Sequence, residues 1–116
     1  MEWYYDLYLG EKIAKKKNKI IYKINDGKLS PSTFVIVLPR NNRDVLEAFP
    51  FEVLKQKYYK RQDFFIIGIA KGREEANQLM LDIIQECYRE TDTVNVRDFI
   101  LDREAKKNDI KIVKYR

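Results

Sequence analysis

Apolar and polar residues change period once, sharply, in the middle of the chain. Phe64, Phe65, Ile66, Ile67 and Ile69 run without a polar face, as a strand covered on both sides does. Gly68-Ile-Ala-Lys-Gly72 reads as the turn that closes it. Beyond Gly72 the apolar positions Ala76, Leu79, Met80, Ile83, Ile84, Cys87 and Tyr88 recur at helical spacing. Glu74 and Glu75 fall in the first turn of that helix, where its dipole favours acids. The pattern predicts a strand–turn–helix unit.

Other segments give shorter signals. Trp3–Leu9 alternates, with Trp3, Tyr5, Leu7 and Leu9 on one face and Tyr4, Asp6 and Tyr8 on the other, which predicts a strand. Glu11–Asn25 fits a helix with Ile13, Ile20, Ile21 and Ile24 on one side, stopped at Asn25-Asp26-Gly27. A strand over Lys19–Ile24 competes with it. Thr33–Leu38 reads as a second buried strand, and Pro39–Asp44 as a loop. Val45–Phe49 suggests a short extended piece, and Pro50 a helix start over Phe51–Lys60. Thr91-Asp92-Thr93 is a loop, and Asn95 caps a last helix carrying Val96, Phe99, Ile100 and Arg103. Residues 103–116 read either as an edge strand or as a loose basic tail.

The order β-α-β-α-β-α-α predicts one α/β domain over residues 1–116. Its sheet would have three to four strands, mostly parallel or mixed, with helices packed against it. A length of 116 residues and 45% hydrophobic content suit one core. No run approaches the roughly 18 apolar residues of a membrane span, and the acidic, aromatic opening residues do not read as a signal peptide. A single cysteine fits a reducing compartment. The expectation is a cytoplasmic protein with no membrane partner.

The net charge of +5 is unevenly distributed. Residues 11–28 carry +5 and residues 103–116 carry +4, while residues 73–102 carry −5. Internal pairing accounts for this as well as an external polyanion would.

Candidate chemistry is narrow. The chain has no histidine, which removes Ser-His-Asp and Cys-His machinery and histidine-containing zinc sites. Its lone cysteine cannot build a thiolate metal site, and Cys87 lies in register with the apolar stripe, as a buried core thiol does. No metal, cofactor or catalytic residue is expected, which weighs against an enzyme. Asp6 is the one acid among aromatics, and no second acid stands at a spacing that suggests a catalytic pair.

Three binding sets remain. If the Thr33 and Phe64 strands were parallel neighbours, Arg40, Asn41 and Arg43 would approach Lys71, Gly72 and Arg73 at one sheet edge and form an anion site. The spacing is neither a P-loop nor a dinucleotide fingerprint, and turn residues with solvated charges are the commoner explanation. Lys12, Lys15, Lys16 and Lys19, with Lys57, Tyr58, Lys60 and Arg61, interleave cations and aromatics as nucleic-acid binders do. A solvated helix face explains them more simply. Eight tyrosines and six phenylalanines exceed what a small core usually needs. Tyr4, Tyr8 and Tyr22 are therefore candidates for an exposed aromatic patch, a protein-partner or homo-oligomer surface.

WYYDLYLGE, KLSPSTFVIVLP, and KYYKRQDFFIIGIAKGREEA followed by VRDFI together resemble small uncharacterised proteins of clostridial and related Firmicute genomes. The resemblance spans roughly residues 1–100 and leaves the lysine-rich end outside. That group has no assigned activity and no catalytic residues to carry over. The resemblance implies a bacterial intracellular setting. The reading that follows is a non-catalytic accessory or interaction protein. The alternatives are a nucleic-acid-binding protein and a small phosphate- or nucleotide-binding enzyme.

Overall fold

The computed structural model describes residues 2–16, 18–19, 22, 32–39, 45–55 and 65–114. Its strands are β1 (Glu2–Leu9), β2 (Thr33–Val37), β3 (Glu47–Pro50) and β4 (Phe65–Lys71). Two long helices follow, α1 (Arg73–Thr91) and α2 (Val96–Lys114). The strands form one mixed sheet in the order β1-β4-β2-β3. β1 runs parallel to β4, while β2 is antiparallel to both β4 and β3. The α/β class and the packed helices are as expected. The sheet is mixed because β2 runs antiparallel to both of its neighbours while β1 and β4 run parallel.

β4 is the axis of the fold. Ile66, Ile67, Ile69 and Ala70 are all fully buried, because the strand has a strand on each side and a core on each face. It does not turn at Gly68. Pairing with β1 and β2 carries it through to Lys71, and only Gly72 breaks it. Gly68 permits this close approach: a Cβ there would stand 3.3 Å from both the Ile36 side chain and the Tyr8 carbonyl oxygen. Gly72 has φ 84° and ψ 161°, a conformation essentially confined to glycine.

The two faces of the sheet are packed separately. Tyr4, Phe34, Ile36, Leu38, Ile67 and Ala70 meet Ala76, Leu79, Ile83 and Cys87 of α1 and Val96, Phe99 and Ile100 of α2. On the other face Leu7, Val35, Val37, Ile66 and Ile69 meet Ile13 and Phe51. In β1 the alternation holds for Trp3, Leu7 and Leu9 against Tyr4 and Tyr8. The pairing with β4 shifts register between Trp3 and Tyr8, and within that stretch Tyr5 and Asp6 are exposed.

Helix ends follow local chemistry. Asp92 takes the left-handed conformation, φ 59°, and its N–H donates to the Tyr88 carbonyl. The Asp98 N–H donates to Asn95 Oδ1 at 3.2 Å, and Asn95 Nδ2 donates to Asp98 Oδ2 at 2.7 Å, so the two residues are doubly linked at the start of α2. Residues 103–114, expected as a strand or tail, continue α2. No glycine or proline interrupts Val96–Lys114, and the Asp102–Lys106 pair at 3.0 Å supports the turn.

The expected Glu11–Asn25 helix is described only in part. Ala14–Lys16 is a 3-10 turn, and Asn18, Lys19 and Tyr22 are helical. Phe51–Lys55 is likewise 3-10, with Pro50 ending β3 instead of opening a helix.

Candidate interaction surface

The aromatic residues of β1 do not form the expected patch. Tyr4 is 1% exposed and Tyr8 is half-buried, both against the helix-side core. Their rings stack with centroids 6.1 Å apart. Arg103 of α2 reaches this cluster: its Nη1 donates to the Tyr8 hydroxyl at 3.2 Å and to Glu86 Oε1 at 3.5 Å, and its Nη2 to Asp6 Oδ2 at 3.2 Å. Burial pushes both phenols above the ordinary tyrosine range, and the Glu86 carboxylate beside Tyr8 adds to its shift. The Tyr4 hydroxyl is buried with no hydrogen-bond partner among the described residues. This cluster fastens α2 to the sheet. Of the expected patch, only Tyr22 is open, at 72% exposure.

The anion set is separated by strand direction. β2 is antiparallel to β4, so Thr33 pairs with Lys71 while the Leu38 end of β2 lies beside Phe65. The chain therefore leaves β2 at the end of the sheet opposite Lys71, Gly72 and Arg73. Arg40, Asn41 and Arg43 lie outside the described residues.

What does meet at the Lys71 end comes from the parallel strand β1. Lys12, Lys71, Gly72 and Arg73 line an open groove of about 570 Å³, together with Glu11, Glu74, Glu75 and Asp82. Glu75 Oε1 accepts from the Lys71 N–H at 3.1 Å, and Arg73 stacks over the Phe34 ring at 4.7 Å. Carboxylates outnumber cations along this edge, and one of them already binds backbone at the helix start. Of the nucleic-acid set, Lys12, Lys16 and Lys19 are exposed. Lys57, Tyr58, Lys60 and Arg61 lie outside the described residues, as does the side chain of Lys15.

Besides Tyr22, large apolar side chains are exposed at Tyr5, Val45, Val94 and Leu101, and on α1 at Leu81 and Tyr88. The helix has three sectors at 3.6 residues per turn. Ala76, Leu79, Ile83 and Cys87 are buried. Glu75, Asp82, Glu86, Arg89 and Glu90 form a charged sector on the side where Glu86 meets Arg103. On the third sector Asn77, Met80, Leu81, Ile84, Gln85 and Tyr88 are uncharged, and Arg73 and Glu74 of the first turn supply its only charges. Leu81 is 48% and Tyr88 58% exposed, while Met80 and Ile84 are half-buried against the core. Leu46 and Ala48 pack on the same core from the β3 side, and Val45 is exposed next to them in sequence. They continue the apolar surface toward β3, the sheet edge opposite β1.

Sequence reading misses this sector by widening the buried stripe. Periodicity alone groups Met80, Ile84 and Tyr88 with Ile83 and Cys87 on the core face. A helix packed on a sheet hides a narrower arc than those seven positions span. The usable signal is the absence of charge from Asn77 to Tyr88 along a face that solvent would normally fill with Lys and Glu.

Cys87 is buried, as expected. Its thiol donates to the Thr93 carbonyl at 3.4 Å, and Thr91 Oγ1 donates to the Cys87 carbonyl at 2.7 Å. Among the described residues no three His, Cys, Asp or Glu side chains gather as metal ligands, and no helix is long and apolar enough to cross a membrane. Comparison with protein-family models, curated proteins and solved structures finds no match to this chain.

Proposed function

We propose that this chain is a non-catalytic protein-interaction domain of the bacterial cytoplasm, docking its partner on the face of α1 that exposes Leu81 and Tyr88. The observation that carries the reading is the exposure of Leu81 and Tyr88 on a helix face that carries no charge from Asn77 to Tyr88. A solvated helix face in a chain with 35% charged residues would ordinarily carry Lys or Glu there. An apolar strip flanked by neutral amides is how the centre of an interface is composed, with charge kept to the rim.

The test is site-specific photocrosslinking in a bacterial host. A photoreactive residue placed singly at Leu81, Tyr88, Lys12 or Lys16 reports which surface is covered. Protein adducts at 81 and 88, and none at 12 and 16, are expected. Adducts confined to 12 and 16 would overturn the reading.

A second reading, nucleic-acid binding, has support from Lys12, Lys16 and Lys19, which are exposed in the same segment as the open Tyr22. It predicts oligonucleotide binding that collapses between about 50 and 200 mM salt. Binding that survives Lys12→Ala, Lys16→Ala and Lys19→Ala together would sink it.

A further inference from the structure

Among the described residues β1 has β4 on one side and no strand on the other. An edge of eight residues is a template for pairing with foreign chains unless something covers it. The β1–β4 ladder is also broken. Trp3 pairs with Ile66 and Tyr8 with Gly68, so five steps of β1 stand against two of β4. Tyr5 and Asp6 fall within that excess, and α2 answers them. Glu104 Oε2 accepts from the Tyr5 N–H at 3.4 Å, as the carbonyl of a neighbouring strand would. Lys107 Nζ lies 4.2 Å from the centre of the Tyr5 ring, and Arg103 binds Asp6 and the Tyr8 hydroxyl.

The two parts of α2 are held differently. Val96, Phe99 and Ile100 are buried in the helix-side core. From Leu101 to Lys107 every side chain is at least partly exposed. The described contacts that tie this second part to β1 and α1 all involve a charged group: Arg103 on Asp6, Tyr8 and Glu86, Glu104 on the Tyr5 N–H, and Lys107 on the Tyr5 ring. Burial anchors the start of the helix, and charge latches its continuation.

We infer that Arg103–Lys107 is a charge-held strap that closes the edge of β1 and opens locally, while the sheet, α1 and the anchored start of α2 stay folded. Local opening draws on segments with few buried apolar contacts. The latching groups stand in solvent, so salt weakens them, as the screening length falls from about 10 Å at 0.1 M to about 3 Å at 1 M. Opening bares the Tyr5 N–H, and its equilibrium sets how often this edge is free to accept an extended chain. The device is separate from the α1 face and stands whether or not that face binds a partner.

Amide hydrogen exchange followed residue by residue by NMR, at about 0.1 and 1 M sodium chloride, tests the strap. The amides of Tyr5 and of Glu104–Lys107 should exchange together and speed up about fivefold at high salt, as the loss of a few exposed polar contacts implies. Amides of Leu79–Ile83 and Ile100 should not respond. Tyr5→Leu combined with Asp6→Asn removes the β1 side of the latch and leaves every residue of α2 in place. The Glu104–Lys107 amides should then exchange at low salt as fast as wild type does at high salt. A helix end that merely frays would ignore changes made in β1, so unchanged α2 amides in that variant overturn the inference. So does a Tyr5 amide that exchanges independently of Glu104–Lys107, an absence of salt response, or a response shared by Leu79–Ile83, which would mean opening of the whole fold.

Discussion

Arg103 Nη1 donates to the Tyr8 hydroxyl across 3.2 Å, joining the second helix to the first strand over ninety-five positions of sequence. The same guanidinium holds Asp6 and Glu86 and lies 5.3 Å over the Phe99 ring. One side chain thus fixes β1, α1 and α2 to each other. Arg103→Met keeps the stem and removes every polar contact. A loss of about 2 kcal/mol is expected, in the range for hydrogen bonds to charged groups. Denaturant unfolding checks it, and Asp6→Asn, which weakens one exposed partner, should cost much less.

Tyr4 gives the opposite sign. Its ring fills the helix-side core, while its hydroxyl is buried and makes no hydrogen bond among the described residues. Tyr4→Phe keeps the packing and removes the unsatisfied group, so a gain of about 1 kcal/mol is expected. Thermal unfolding should show a midpoint higher by several degrees, as that gain implies in a chain of this size. A lower midpoint would mean the hydroxyl has a partner in solution.

The buried phenols set an alkaline limit. Tyr4 and Tyr8 ionise above the ordinary tyrosine value of about 10 in the folded chain and near it in the unfolded chain. Below about pH 10 both states keep the protons, and these groups leave stability independent of pH. Above it the unfolded state loses protons that the folded state retains, so stability falls as pH rises. Tyrosinate absorbance should appear together with unfolding, and Tyr4→Phe should shift that transition to higher pH.

Gly72 joins β4 to α1 at φ 84° with open space where a Cβ would stand. Gly72→Ala meets no neighbour, so its penalty is conformational alone, about 1–3 kcal/mol. Gly68→Ala differs in mechanism: the added methyl presses on Ile36 and on the Tyr8 carbonyl. Replacing Ile36 by Val should relieve part of the second penalty and none of the first, which a double-mutant cycle measures.

Elements whose partners are local are legible in the residues. The α1 start after Gly72, the Asn95 cap and the Asp92 stop follow from chemistry within a few positions. The buried run at Thr33–Val37 follows from apolar content alone, whereas β4 is legible only as far as Ile67, because Gly68 reads as a turn until its pairing with β1 and β2 is known. Strand direction is not legible. Nothing within TFVIVL says whether β4 passes it parallel or antiparallel, and the anion site depends wholly on that choice. The tyrosines of β1 mislead for a related reason. A phenol reads as amphipathic, and Arg103, which makes burial of Tyr8 tolerable, lies far along the chain. Tyr88 is exposed on α1 although its spacing groups it with Ile83 and Cys87, because spacing alone does not say how wide an arc the sheet covers.

The placement of β1 bears on how the chain assembles. Among the described residues its only strand partner is β4, which begins at Phe65, whereas β2 and β3 are neighbours in sequence and pair directly. Closing the short connection between β2 and β3 costs less chain entropy than closing the one from Leu9 to Phe65. Pulse-labelled hydrogen exchange during refolding should therefore protect β2 and β3 amides first and β1 amides last. Until β4 pairs with it, and α1 and α2 cover Tyr4 and Tyr8 on one face while Ile13 and Phe51 join Trp3, Leu7 and Leu9 on the other, β1 is an uncovered apolar strand. A nascent chain therefore carries these residues without β4 beside them until synthesis has passed Lys71.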